Sequence, residues 1–576
     1  MTSHFFLRHR LPLLAGVGAV GVSVAACLGS GSAPRPAAAQ TATTGTITVT
    51  VNLTKNRRAI NPLIYGSAYA DDAAIRDLRL PAHRLGGNNT SRYNWHENAD
   101  NRGNDWFYQS IGDDSPVAGE RADTFIRKSR AGGAEPMLTV PILGHVAKLG
   151  ANRAKKWSFS VTKYGAQERT DQWNPDSGNG VKPDGKPMTG NDPLDANIIA
   201  DAAFMKPWLE SLVQTHGGAA SANGLRYYIL DNEPAIWHST HRDVHPVGAR
   251  MDEVRDKSVA TARMIKTVDP AALILGPEEW GWTGYFYSGY DSQWGSANGW
   301  SMLPDRLAHG NKDFSAWYLE EMKAAETVTG KRLLDVFTLH IYPQGGEFSE
   351  DVTTGMQQRR NRSTRALFDP AYRDETWIND TVRLIPRMKE WVSANYPGTQ
   401  TGITEYNWGA EGHINGATTQ ADIYGIFGRE GLDMAARWTT PKADSPVYAA
   451  MKLFRNYDGT GKGFGEVSVQ AATVAPYESF TAYAAERRDA SATTVLLVSK
   501  GVVETPGTQT VSVQIAGKSF AAKTAQVYQI SAATPKGTIT RLPDAAVSRT
   551  GAVRVTVPTP SVTLVVVPTG VLKVVK

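Results

Sequence analysis

The amino-acid sequence predicts an α/β protein, a (β/α)8 TIM barrel with an antiparallel β-sandwich that the C-terminal tail forms with one N-terminal strand. Three observations carry that expectation. Eight short apolar runs alternate with helical patterns through the middle of the chain, the order that winds a parallel barrel. From about residue 465 onward, Val, Thr and Ala alternate with polar residues between Gly, Pro and Asn turns, as the strands of a sandwich do. All 15 tryptophans lie between Trp95 and Trp438, so the middle of the chain and its two ends differ in kind.

Arg8 and Arg10 precede an apolar run from Leu11 to Ala26, the pattern of a secretory signal. The run, about 16 residues, is short for a membrane span. It ends Val24-Ala25-Ala26-Cys27, which resembles a bacterial lipobox. Residues 1–27 therefore read as a signal peptide, with Cys27 as a lipidation site attaching an exported protein to a membrane. Cleavage after Ala39, in Ala37-Ala38-Ala39, is the rival and would release a soluble protein. Cys27 is the single cysteine, which excludes an intramolecular disulfide framework. Residues 28–44, rich in Gly, Ser, Ala, Pro and Thr, read as a flexible linker.

Residues 45–60 contain Thr46-Ile47-Thr48-Val49-Thr50-Val51, a strand assigned to the sandwich. The barrel is expected over 61–455 and the sandwich over 456–576, with strands such as Thr494 to Val498, Thr510 to Val513 and Val553 to Val557. Barrel strands are expected at 63–68, 82–86, 136–143, 226–230, 272–276, 336–340, 402–406 and 434–438. Helices are expected at 200–215, 259–268, 314–327 and 377–395. A doubly wound open sheet is the alternative, but no Gly-rich phosphate loop follows any strand. The segments 95–125, 150–195 and 280–312 are long and rich in Asn, Asp, Gly and Trp, and loops of that length are usually functional. A net charge of +5 spread over 576 residues is too diffuse for a nucleic-acid partner, and a monomer is expected.

In a barrel of this kind the chemistry sits at the carboxyl ends of the strands. The fourth run ends Asp231-Asn232-Glu233-Pro234 and the seventh Thr404-Glu405-Tyr406-Asn407-Trp408. Two glutamates at strand ends, three strands apart, can flank a cleft. Splitting a glycosidic bond needs such a pair, one protonated acid for the leaving oxygen and one ionised carboxylate for the anomeric carbon. Asn232 can hydrogen-bond a sugar 2-hydroxyl, a contact that strengthens in the transition state. Glu278 and Glu279, ending the fifth run, are the competing pair. They rank lower because adjacent residues point apart, and cleft-lining or loop salt bridges are their expected roles.

Residues 60–440 resemble glycoside hydrolase family 44, the endoglucanases and xyloglucanases. The stretches that carry the resemblance are Ile60 to Gly66, Arg84 to Asn89, Tyr93 to Asn101, Leu230 to Trp237, Leu339 to Pro343, Arg362 to Pro370 and Ile403 to Gly409. The resemblance implies that Glu233 is the acid/base and Glu405 the nucleophile, and that the second domain is a sandwich built from both termini. No appended cellulose-binding module is expected.

Sugar rings pack on indoles, so Trp95, Trp237, Trp408 and Trp438, each near a strand end, are candidate substrate-binding residues. Trp438 is the expected floor under the reacting sugar. Core packing is the competing role for each. His340 and Tyr342 end the sixth run, where the Tyr342 hydroxyl could orient Glu405. Between Asp171 and Asp195 lie Asp171, Asn174, Asp176, Asp184, Asn191, Asp192 and Asp195, hard oxygen donors suited to calcium but without EF-hand spacing. A solvated acidic loop is the ordinary reading of that stretch, and structural calcium at Asp192 and Asp195 the alternative. No cofactor is required, since two carboxylates suffice.

Two function classes follow. One is a retaining endo-β-1,4-glucanase cutting xyloglucan or carboxymethyl cellulose, with xylan or mannan as other backbones. The other is a non-catalytic glycan-binding surface lipoprotein.

Overall fold

The computed structural model describes residues 46–569 apart from Ser519, Ala521, Pro535 and Lys536. The expected signal peptide, Cys27 and the linker lie outside the described residues.

Eight parallel strands close into a barrel: Gly66–Ala68, Ala82–Leu85, Glu135–Val140, Tyr227–Leu230, Leu273–Glu279, Val336–Ile341, Gln400–Tyr406 and Met434–Arg437. Each falls within a residue or a few of an expected run, except that the first run begins as a 3-10 turn, Pro62–Tyr65, which Asn61 caps. The strands read as near-continuous apolar runs because both faces are covered; all six residues of Val336–Ile341 are buried. One face of the strands fills the barrel with Ala82, Met137, Tyr227, Ile229, Leu275, Val336 and Met434. The other packs on the helices. Closure is tight at Gly66, where a Cβ would come within 2.4 Å of the Ala435 carbonyl oxygen.

The helices differ more from expectation. The run at 259–268 is the second half of Met251–Val268, whose first two turns are too polar to show an apolar period. The helix expected at 377–395 begins only at Leu384, because Asn379 and Arg383 adopt left-handed φ of 43° and 35°. Ile414–Glu430, between the seventh and eighth strands, shows no amphipathic period in the sequence. It is buried from Ile414 through Gly428, so it lacks the polar face that marks a surface helix.

That helix is covered by the second domain. The sheet runs in the order Thr540–Ala546, Thr524–Ser531, Ser561–Pro568, Ala492–Ser499, Phe480–Glu486, Val467–Thr473, Thr46–Asn52, Gly507–Ala516 and Ala552–Thr559. It curls so that Val49, Val51, Val495, Leu497, Val511, Val513, Val553 and Val555 share one core. It is not wholly antiparallel: Thr46–Asn52 pairs antiparallel with Val467–Thr473 but parallel with Gly507–Ala516. A parallel pair needs a long crossover, and here the entire barrel lies between the two strands.

Strand Ala492–Ser499 is buried on both faces. Val495 and Leu497 enter the sandwich core, while Leu496 and Val498 join the barrel's core cluster. At this interface the buried Asp422 carboxylate accepts from Lys500 Nζ at 2.8 Å and from Thr364, Tyr477, Thr481 and Tyr483 hydroxyls at 2.7 Å each. Asp422→Ala would leave the Lys500 charge buried without a partner and is expected to cost about 3–5 kcal/mol of stability. Thermal unfolding checks this: adding Lys500→Met should recover part of the loss, and a single variant that melts like the wild type would refute the account.

Candidate active site

Strands four to seven deliver their last residues to one end of the barrel. After Leu230 the chain turns through Asp231 and Glu233, both with left-handed φ, 63° and 48°. Such backbone is costly for non-glycine residues and persists where the surroundings hold it. Here the Asp231 carboxylate accepts from the Ile142, Leu143 and Asn232 amides at 2.5, 2.7 and 2.8 Å, clamping strand four to the loop after strand three. The Glu233 amide donates to the Glu278 carbonyl at 3.0 Å. Pro234 then starts a 3-10 turn, as its fixed φ favours.

The side chains so placed form one charged cluster. Glu405, ending strand seven, accepts from Arg84 Nη1 at 2.6 Å through Oε1 and from the Tyr342 hydroxyl at 2.8 Å through Oε2. Glu233 Oε1 lies 2.9 Å from His340 Nδ1, which is 3.7 Å from Glu405 Oε2. Glu233, His340 and Glu405 each present a polar atom within 4.8 Å of the other two. Asn232 Oδ1 accepts from Arg84 Nη2 at 3.1 Å, and its Nδ2 donates to Asn88 Oδ1 at 3.1 Å. Beneath them Glu278 Oε2 meets both Arg84 Nη2, at 3.0 Å, and His340 Nε2, at 3.1 Å.

The electrostatics separate the groups. Burial pushes the Glu233 carboxyl up from its ordinary value, and the Glu405 charge adds to this against the opposing effect of His340. Burial alone would strip the proton from His340, but the Glu405, Glu233 and Glu278 carboxylates push its pKa up to about 10. Glu233 and His340, in direct hydrogen-bond contact, therefore influence each other's protonation. Burial and the Glu405 charge hold the Tyr342 hydroxyl well above the usual phenol range, so it stays a donor. His340 and the Arg84 guanidinium thus each face carboxylates of the cluster.

Comparison with known proteins identifies the family. A sequence profile of glycoside hydrolase family 44 matches residues 99–345. The crystal structure of CelM2, a bifunctional glucanase-xylanase from a metagenome library, is 56% identical, covers 91% of this chain and 99% of its own, and superposes with a TM-score of 0.88. The chain belongs to glycoside hydrolase family 44. A family 44 xyloglucanase from Paenibacillus polymyxa is 27% identical over 91% of this chain and all of its own, with a TM-score of 0.75. Endoglucanase A of Paenibacillus lautus is 33% identical over 73% of this chain. The chain spans 34% and 59% of the lengths of the two curated relatives it matches.

Within this family 44 chain the expected site residues divide. Glu233, Glu405, Asn232, His340 and Tyr342 are brought together. Trp438 is half-exposed beside them, 6.0 Å from the Arg84 guanidinium and perpendicular to Tyr69 at 5.3 Å. Gly87 makes room for it, since a Cβ there would come within 2.6 Å of the indole. Trp237 is fully buried, its indole donating to the Asn232 carbonyl at 2.9 Å. It supports Asn232 from behind and offers no face to a sugar. Trp408 is likewise core, bonded to Ser363 Oγ at 3.0 Å. Trp95 is half-buried on Phe204, to whose carbonyl it donates at 3.0 Å, and serves as a loop anchor.

Glu278 and Glu279 correct their expected roles too, because both lie buried under the site and neither makes a surface salt bridge. Both Asp195 oxygens accept from Lys163 Nζ, at 2.6 and 2.8 Å. Asp192 caps the turn at Leu194 N, 2.9 Å away.

Arg84 is the residue that the sequence reading passed over. Its signal is a guanidinium inside a short strand expected to be buried, a place it takes only with anionic partners. Trp237→Ala should therefore behave as a core truncation, costing about 3–5 kcal/mol in denaturant unfolding. A near-wild-type midpoint would contradict the buried role.

Proposed function

We propose that this glycoside hydrolase is a retaining endo-β-1,4-glucanase that cuts xyloglucan and other soluble β-1,4-glucans by double displacement. The observation that carries the reading is the pair Glu233 and Glu405. Carboxylate oxygens within 4.8 Å of each other support the close retaining spacing of about 5–5.5 Å between carboxyl groups. Their surroundings suit two different duties. Glu233, its pKa raised by burial, can hold a proton for the glycosidic oxygen. Glu405, fixed through both oxygens by Arg84 and Tyr342, can attack the anomeric carbon. In the second step Glu233 takes a proton from water, which then releases the sugar from Glu405. Asn232, held by Arg84 and Asn88, can bind the 2-hydroxyl of the reacting sugar.

A polymer is the expected substrate because aromatic surface continues away from these residues. Trp438 is open at the site. Asn88 Nδ2 donates to Asp105 at 3.2 Å, next to Trp106, which stacks at 5.6 Å on the exposed Trp173. The xyloglucanase of Paenibacillus polymyxa supports a glucan backbone, and the bifunctional CelM2 supports xylan as a second one. The beta-mannanase/endoglucanase A of Caldicellulosiruptor saccharolyticus, 31% identical, keeps mannan on the panel to be tested. A non-catalytic glycan-binding lipoprotein has no need of two poised carboxylates.

Proton NMR of the first product released tests retention: a β-anomer is expected, and an initial α-anomer would sink the mechanism. The roles are tested separately. Glu233→Ala should keep substantial turnover of a dinitrophenyl cellobioside, lose polymer cleavage by about a hundredfold or more, and give a β-glycosyl azide with added azide. Glu405→Ala should lose both substrates, and azide products with the opposite assignment would exchange the two roles.

We also propose export of a monomer with lipid attachment at Cys27. Cys27→Ser should move activity from the membrane fraction to the soluble one; unchanged fractionation with a mature terminus at Gln40 would refute the anchor.

A further inference from the structure

Glu278 is a third carboxylate in this site, and the reaction just described does not use it. It is fully buried, and its backbone is left-handed at φ 61°. Its Oε2 is shared by Arg84 and His340, the two cationic side chains that touch Glu405 and Glu233. Its Oε1 is buried with no hydrogen-bond partner. A carboxylate in that position is costly to desolvate, and the cations it faces are what compensate it.

We propose that Glu278 is a positioning residue that holds Arg84 and His340 in their charged, catalytically oriented states. Without it, the two cations would face one anion fewer. The inference rests on the glycosidase reading and goes beyond it in naming what tunes the acid.

The groups facing Glu278 come from several elements. Arg84 on strand two and His340 on strand six touch it directly, Thr338 lies beside it on strand six, and Glu233 and Glu405, from strands four and seven, face those same two cations. The Tyr318 hydroxyl approaches from helix Phe314–Thr329, and Glu279 is its chain neighbour. Burial and the Glu233 charge push Glu279 well above the carboxylate range, so it adds no anion. Tyr318 is raised by burial and stays neutral as well. While Glu233 holds its proton, Arg84 and His340 then balance Glu278 and Glu405. The Arg84 and His340 contacts keep Glu278 itself ionised, with a pKa near 2 despite its burial.

The sign of the effect follows. Replacing this anion by a neutral amide makes the site more positive, and every group in it holds protons less tightly. The alkaline limb of kcat/KM, where the Glu233 and His340 pair loses the proton destined for the leaving group, moves to lower pH.

The experiment compares wild type, Glu278→Gln and Glu278→Asp on soluble xyloglucan across the pH range. For Glu278→Gln the alkaline limb should fall by about one unit or more. kcat should drop by about tenfold, with KM within about threefold, since Glu278 touches no substrate. Glu278→Asp, which keeps the charge, should bring the limb most of the way back. A kcat loss with an unmoved limb would mean a merely structural role, and a limb that Asp fails to restore would also overturn the proposal.

Nitrogen-15 NMR of labelled histidines in the wild-type protein gives a second readout, with His340 assigned by the signal missing in His340→Asn. Both ring nitrogens should carry protons at neutral pH, and a neutral ring overturns the proposal even if Glu278→Gln does not fold. A wild type inactive on β-glucan, xylan and mannan would instead fell the glycosidase reading, and a His340 ring that gives up its second proton at lower pH in Glu278→Gln than in wild type and Glu278→Asp would still decide the role of Glu278.

Discussion

A guanidinium sealed inside the mouth of the barrel is the constraint on which the active end depends. Arg84 has no exposed surface, and taking its charge out of water is expensive unless anions and acceptors surround it. It finds them on three different strands: Glu405 from the seventh, Asn232 from the fourth and Glu278 from the fifth. The same contacts that compensate Arg84 therefore draw four strand ends together and set the spacing of the acidic groups. Gly86 is part of the arrangement, since a Cβ there would lie 2.3 Å from the guanidinium carbon.

Around that cation, acidic groups of one chemical type acquire different characters. Glu405 is gripped through both oxygens, Glu278 is locked between two cations, Glu279 is pushed upward by burial, and Glu233 is raised yet open enough to meet a ligand. Environment, not residue type, divides the labour. The left-handed φ values at Asp231, Glu233 and Glu278 mark where the backbone bends to aim these groups.

The sandwich contributes from outside. Helix Ile414–Glu430 follows the strand that carries Glu405, and it is packed between the barrel and the sheet, with Asp422 tied to Lys500. Buried Arg360 adds a brace, donating to the Trp408 carbonyl three residues beyond Glu405 at 2.9 Å. The second domain thus backs the helix and loop that follow Glu405.

Much of this was legible in the sequence, and the reasons are local. All eight barrel strands announced themselves as apolar runs because a parallel sheet buried on both faces leaves no polar alternation. Glu233 and Glu405 stood out because strand ends are where such a barrel does chemistry, and the Asn-Glu-Pro and Thr-Glu-Tyr contexts mark those ends. What sequence could not decide depends on neighbours distant along the chain. Trp237 and Trp408 look like Trp438, and only packing separates two core indoles from one facing the site. Helix Ile414–Glu430 hid because a sheet contributed by residues far along the chain covers its outer face. Asp195 is paired with Lys163, 32 residues away, a partner that sequence alone does not name. Glu278 and Glu279 are adjacent in sequence, yet one is ionised between two cations and the other neutral. A residue's charge and exposure are set by what folding brings against it, and that becomes readable only once the barrel has closed.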